Sequence, residues 1–187
     1  MTENDLIKKA AGGDMNAFEQ LIEQYQGMVY NLALKLLCNP EDAADAAQDT
    51  LIKTYNSISS FNGKSRFSTW IYRVTYNVCL DRIRKTKRRT HELLNERIVD
   101  GGPTPQSALE DSERALIIKD AINSLPPDQK TAIVMRDIDG FSYDEISEVL
   151  SCSLGTVKSR INRARLKLRE ILSDYLEQNT RVNRLNS

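Results

Sequence analysis

The stretch "SYDEISEVLSCSLGTVKSRINRARLKL", Ser142–Leu168, contains two helix-start signals separated by a short turn. Ser142 and Glu145 have the spacing of a capping box, in which each side chain satisfies an amide of the other's backbone. A short helix is therefore predicted to begin there and to end near Leu150. "SCS" at 151–153 is long enough only to turn the chain, and Ser153 can cap a second, longer helix. Two helices joined in this way form a helix-turn-helix. On a wheel of about 100° per residue, Val157, Ile161, Ala164 and Leu168 share one face. Ser159, Asn162 and Arg163 lie roughly opposite, with Arg160 beside Arg163 and Lys158 nearby. The apolar stripe faces inward and the polar and cationic side chains face outward, which offers donors to base edges and cations to phosphates. Gly155 and Thr156 at the helix start can bring backbone N–H groups to a phosphate. An ordinary amphipathic helix shares the pattern, but the capped helix and turn before it favour DNA binding.

The charge balance of the whole chain points the same way. The formal net charge is zero, yet residues 1–63 carry 4 Lys/Arg against 9 Asp/Glu and residues 64–89 carry 9 against 1. Residues 90–153 return to 5 against 13, and residues 154–170 hold 6 against 1. One basic run is commonly a solvated helix face. Two islands in an acidic chain, both on helices, imply two contacts with a polyanion.

Upstream, the signals are helical throughout, with no alternation of period two. Phe18, Leu21, Ile22, Tyr25, Val29, Leu32 and Leu36 form a single helical stripe. "NPED" at 39–42 is a start signal: Asn39 caps, Pro40 fits the first position, and Glu41 and Asp42 suit the positive end of the dipole. That helix is predicted to reach about Ile58, where "SSFNGKS" breaks the chain. The next runs from about Ser65 to Lys87 on an apolar stripe of Phe67, Trp70, Ile71, Val74 and Val78. Arg66, Arg73, Asn77 and Arg84, at i, i+7, i+11 and i+18, fall within about 20° of one line. Trp70, Tyr72 and Tyr76 place rings near these cations, a combination that suits unstacked bases. Equally, Trp70 can be core. "DGGPTPQS" at 100–107 reads as a linker. The expected fold is all-α: two small helical domains joined by a flexible linker, the C-terminal one a helix-turn-helix.

Other classes find little support. No apolar run approaches the ~20 residues of a membrane span, and "MTENDLIKKAAGGD" lacks the apolar core of a signal peptide, so a cytoplasmic protein is expected. Cys38, Cys79 and Cys152 are scattered and odd in number, and are expected to be buried reduced thiols rather than a disulfide or metal set. His91, the only histidine, lies in a polar basic stretch, which leaves no His-based triad or multi-His site. Glu41, Asp42, Asp45 and Asp49 could offer carboxylates to a metal-dependent nuclease, but no partner motif accompanies them. No catalytic residue, metal or cofactor is expected.

The chain resembles the extracytoplasmic-function (ECF) sigma factors, the two-domain kind that direct bacterial RNA polymerase to promoters. "GDMNAFEQLIEQY" is similar to the family's opening helix, "EDAADAAQDTLIKTY" to its polymerase-binding segment, and "SRFSTWIYRVTYNVCLDRIRK" to its melting and −10 recognition region. "SLPPDQKTAIVMRDIDGFSYDEISEVL" followed by "LGTVKSRINRAR" resembles its −35-binding domain. The resemblance implies a region 2 domain at 1–89, with polymerase binding at about 45–58 and −10 recognition at about 61–89. It further implies a linker at 90–111, a region 4 domain at 112–178 with its helix-turn-helix at about 143–162, and a tail at 179–187. Asp45, Gln48, Asp49 and Lys53 would dock on the coiled coil of the polymerase's largest subunit. Leu51, where the family usually has Phe, would fill an apolar contact there. Arg66, Trp70, Arg73, Asn77 and Arg84 would meet the melted −10 element, with Asn77 at the position that accepts a flipped base and Trp70 at that of the wedge. Thr156, Lys158, Ser159, Arg160, Asn162 and Arg163 would read the duplex −35 element. An anti-sigma factor is a further partner that the resemblance implies, and direct membrane insertion is not. The competing reading, an autonomous helix-turn-helix regulator, leaves the first basic island and the acidic helix at 40–58 without a purpose.

Overall fold

The computed structural model describes residues 1–93 and 110–185, with side chains described for 1–86, 116–173 and 175. Among these residues every regular element is helical, and the chain divides into an N-terminal and a C-terminal compact unit. The expected linker at 90–111 falls mostly on residues outside the description, as does the side chain of His91.

The N-terminal unit holds α1 (Glu3–Ala11), α2 (Met15–Glu23), α3 (Gln26–Leu37), α4 (Pro40–Ser57), a 3-10 turn (Ile58–Ser60) and α5 (Phe67–Leu93). α1 has no counterpart in the sequence expectations. Its start is a capping box of Thr2 and Asp5, and it buries Leu6, Ile7 and Ala10. The stripe from Phe18 to Leu36, read as one helix, belongs to two. At the junction, the amides of Gln24 and Tyr25 bond the carbonyls of Leu21 and Ile22, three residues back. This tightening bends the chain without leaving helical dihedrals, so the apolar period continues across it. Gly27, a weak helix former, follows immediately.

Asn39 caps α4 by accepting from the Asp42 amide at 3.0 Å, with Pro40 inside the first turn. The buried face of α4 is made of small residues, Ala43, Ala46, Thr50 and Thr54. Its neighbours α3 and α5 pack on it, and the absence of bulk lets the backbones approach closely. The rest of the core gathers Leu6, Phe18, Leu21, Ile22, Val29 and Ile71 with an aromatic group at the start of α5. There Phe61 and Phe67 meet edge to face at 5.5 Å, and Phe61 and Trp70 lie 5.5 Å apart. α5 extends past the expected end at Lys87, through Leu93.

The C-terminal unit holds α6 (Glu110–Asn123), α7 (Pro127–Ile133) with a following π turn (Val134–Ile138), α8 (Tyr143–Leu150) and α9 (Leu154–Leu185). α9 runs across the boundary at 178 that separates the expected domain from its tail. α7 and α6 pack on α9, where Leu125, Ile133, Ala164 and Leu168 meet. The capping box that opens α8 is present. The Glu145 amide donates to Ser142 Oγ at 3.2 Å, and the Ser142 amide donates to Glu145 Oε2 at 2.9 Å. Ser153 Oγ accepts from the Thr156 amide at 3.3 Å to open α9. Between them Ser151 takes a left-handed φ of 49°. Its amide bonds the Glu148 carbonyl and that of Cys152 bonds the Ser147 carbonyl, which is the paired closure of a Schellman motif.

Candidate functional site

Three helices carry the residues singled out in the sequence. On α4, Asp45, Gln48, Asp49 and Lys53 are all exposed. Because the inward face is taken by Ala and Thr, the large apolar residues of this helix divide between two directions. Leu51 is half-buried against the core of its own unit, whereas Ile52, 61% exposed, and Tyr55, 38% exposed, face outward. Tyr55 is braced by Phe18, ring to ring at 5.0 Å. The sequence signal for these two was available: both lie off the stripe defined by Ala43, Ala46, Thr50 and Thr54, and apolar residues outside a buried stripe mark a contact surface when they cluster.

Asp45 and Asp49, one turn apart, converge on one cation. Arg82 of α5 places Nη2 2.6 Å from Asp49 Oδ2 and Nη1 3.6 Å from Asp45 Oδ2. The hydrogen bond to Asp49 is the largest cause of an upward shift in the Arg82 pKa, with the charges of both carboxylates adding to it. Arg82 therefore belongs to the first basic island by sequence and to the acidic helix by contact. Among the described residues, no group of three or more His, Cys, Asp or Glu could hold a metal ion.

Along α5, Arg66, Asn77 and Arg84 are exposed and Arg73 is half-buried. Trp70, at 7% exposure, is packed on Phe61 and Phe67, and Tyr72 and Tyr76 are buried as well. The three rings read as neighbours of the cations are thus interior in the free protein. A pocket of about 340 Å³ at the start of α5 brings aromatic walls to one of these cations; it is lined among others by Asn4, Tyr25, Phe61, Ser65, Arg66 and Ser68. The preceding loop is shaped by Gly63, with φ of 69°, and by Asn62, whose Oδ1 accepts from the Lys64 amide at 3.1 Å. Tyr25 donates to Glu3 Oε2 at 2.9 Å across this pocket. Burial first, and then Glu3, push its phenol pKa well above the ordinary value.

On α9, Lys158, Asn162 and Arg163 are exposed, and their side chains make no hydrogen bond or ion pair among the described residues. Thr156 and Ser159 are half-buried, and Ser159 Oγ donates back to the Thr156 carbonyl at 2.8 Å. Arg160 departs from the expected outward group. Its Nη2 lies 2.7 Å from Asp128 Oδ2 on α7, and its Nη1 lies 3.6 Å from Cys152 Sγ in the turn. It sits only about 60° from Val157 on the wheel, so its long side chain follows the edge of the buried stripe to Asp128. Two residues not singled out in the sequence tie the elements of this unit together. Arg165 grips Asp137 with two hydrogen bonds, at 3.1 and 2.7 Å, and Arg136 lies 4.9 Å over the Tyr143 ring. The cysteines are free, but only Cys79 is buried as expected. Cys38 is exposed and Cys152 half-buried.

A helix-turn-helix unit with an outward basic face, in one chain with a helical unit that has separate acidic and basic helices, defines a DNA-binding protein equipped for a second, protein partner. The pattern for Sigma-70 region 2 matches residues 21–89 and that for Sigma-70 region 4 matches residues 115–168. The chain is 37% identical to the ECF RNA polymerase sigma-E factor of Haemophilus influenzae, covering 88% of this chain and 92% of that one. It is 38% identical to the ECF RNA polymerase sigma factor SigW of Bacillus subtilis, covering 90% and 95%. Among solved structures it is similar to the sigma factor RpoE of Bartonella quintana in complex with the anti-sigma factor NepR. There the TM-score is 0.69 at 30% identity, over 83% of this chain and 96% of that one. The chain belongs to the ECF sigma factors, which are transcription initiation factors.

Proposed function

We propose that this chain docks on core RNA polymerase through the exposed face of α4 and delivers two DNA-reading helices to a promoter. Asp45, Gln48, Asp49 and Lys53 form the polar part of the docking face, and Ile52 and Tyr55 its apolar centre. A desolvated apolar group ringed by charges is the usual anatomy of a protein contact. Along α5, Arg66, Arg73 and Arg84 follow the phosphates of the melted −10 strand, and Asn77 reads an unstacked base. Trp70 supports that surface from within. The pocket beside Arg66 has aromatic walls and hydroxyl and amide groups, which suit a second unstacked nucleotide. On α9, Lys158, Asn162 and Arg163 face the major groove of the −35 element, Thr156 and Ser159 line its edge, and Arg160 holds the helix against α7.

The observation that carries this reading is the pairing of an exposed acidic helix and a cationic helix in the N-terminal unit. An autonomous regulator that used only α8 and α9 would need neither. The chain supplies no chemistry of its own, and the polymerase makes the phosphodiester bonds. It works in the cytoplasm, and an anti-sigma factor that covers the docking or reading faces would silence it. Among the described residues no helix is long and apolar enough to cross a membrane. The test is transcription in vitro from a genomic library with core polymerase, followed by mapping of 5′ ends. Discrete starts preceded by a shared pair of spaced motifs, present only when the chain is added, are expected. Starts that do not depend on the chain would refute the proposal.

A further inference from the structure

Asp45 and Asp49 stand four residues apart on an exposed helix, where like charges repel by a few tenths of a kcal/mol and splay apart. Here both are drawn to one guanidinium. Arg82 reaches Asp49 Oδ2 at 2.6 Å and Asp45 Oδ2 at 3.6 Å, using a different terminal nitrogen for each. The planar fork offers a separate nitrogen to each carboxylate, whereas a lysine ammonium carries all its donors on one nitrogen. Each carboxylate keeps its second oxygen, for which no contact is seen among the described residues. The side chains of Asp45 and Asp49 remain 69% and 50% exposed, against 27% for Arg82. The cation thus occupies the inner side of the pair and leaves the outer side open. It is itself delivered from a fixed place. Val78 and Cys79, one turn before it on α5, are buried, and α4 packs directly on α5.

We infer that Arg82 is a positioning residue for docking: by bridging Asp45 and Asp49 it fixes both carboxylates in one orientation, with their free oxygens presented to a cationic partner helix. This rests on the reading of α4 as the docking face. An exposed ion pair contributes little to stability, so the effect belongs to recognition, where ordering the groups beforehand lowers the cost of association. The alternative role, an internal competitor that occupies the carboxylates and must be displaced, predicts the opposite sign.

The experiment is a titration of the full-length chain against core RNA polymerase, at low and moderate salt, for the native chain, R82Q, R82K, D45N/D49N and the triple variant R82Q/D45N/D49N. R82Q is expected to bind about three- to fivefold more weakly, the range of one well-placed exposed pair. R82K should resemble R82Q, because one nitrogen cannot reproduce the two-point spacing of the fork. In the D45N/D49N background, R82Q should have no further effect, and helical content should be unchanged throughout. If R82Q binds as tightly as the native chain or more tightly, the positioning role is overturned. An equal loss from R82Q in both backgrounds would overturn it too, since Arg82 would then act through helix packing. If D45N/D49N alone binds like the native chain, the docking reading of α4 falls and this inference with it. A loss there without one in R82Q removes only the inference.

Discussion

Thr54 lies fully buried on α4, and its hydroxyl has no hydrogen-bond partner among the described residues. Its neighbour Thr50, one turn earlier, donates to the Ala46 carbonyl at 2.7 Å. Leaving a buried hydroxyl unpaired costs free energy that a methyl of the same shape avoids. Thr54→Val is therefore expected to raise stability by about 1 kcal/mol, read as a higher denaturation midpoint at unchanged slope. Thr50→Val should not. A second residue-scale expectation concerns alkali. Tyr25 and Cys79 are both held protonated by burial, the Cys79 thiol pushed up to about 12. For groups whose pKa is raised in the fold, the contribution to stability is whole below the unfolded value and is lost as pH climbs above it. Stability should thus fall from about pH 9 upward. Tyr25→Phe should flatten that decline in a pH series of unfolding curves, and an unchanged slope would contradict the assignment. At this scale the sequence was legible in residue type and less so in partnership. The Arg82–Asp49 contact spans 33 positions, and no local spacing announces it. Arg160 was placed with the outward group because the wheel gives the direction of a side chain at its root, while a long side chain ends where its counter-ion lies.

The helix-turn-helix was legible element by element, because each boundary has a local cause: the Ser142–Glu145 box, the Ser153 cap and a turn of three residues. The bend between α2 and α3 was not, since it preserves both helical dihedrals and the apolar period. α1 was overlooked although Thr2 and Asp5 signal its start, with Asp in the place where Glu or Gln is usual. Ser151 carries the left-handed position that glycine normally takes. Ser151→Val should destabilise the C-terminal unit by about 1 kcal/mol through the clash of its branched side chain, while Ser151→Gly should be neutral or better. Calorimetry of both variants decides this, and tolerance of Val would show that the turn relaxes. On α9, the two arginines should part company. Arg163→Ala is expected to weaken duplex binding by about 1–3 kcal/mol with little change in melting temperature. Arg160→Ala should chiefly lower the melting temperature of the unit, by the loss of its pair with Asp128. Gel shifts beside thermal melts separate them, and matching profiles would refute the division.

Each unit has its own core, α1 to α5 around Phe67 and Ile71, and α6 to α9 around Ile133 and Ala164. Fragments 1–93 and 110–187 are therefore expected to fold separately, each with a cooperative melt. Mixed in solution they should initiate poorly, because covalent connection is what keeps the local concentration of one reader high once the other has bound. Failure of either fragment to fold would mean that its core is incomplete without the other. The division into two helical domains was legible from the polar stretch at 100–107, whose Gly101, Gly102, Pro103 and Pro105 neither continue a helix nor pack in a core. One feature of α4 bears on how such a chain changes over generations. A helix seated on Ala43, Ala46, Thr50 and Thr54 gains its place by closeness of backbone, so its inner positions admit almost no gain in volume, and enlargement at Ala46 would overpack the seat. Its outer positions, Asp45, Gln48 and Ile52 among them, carry almost none of that constraint. If that face docks as proposed, mutation there retunes the affinity for the partner without eroding the fold, and a duplicated copy of the gene would acquire a different strength of competition for a shared partner in a few substitutions.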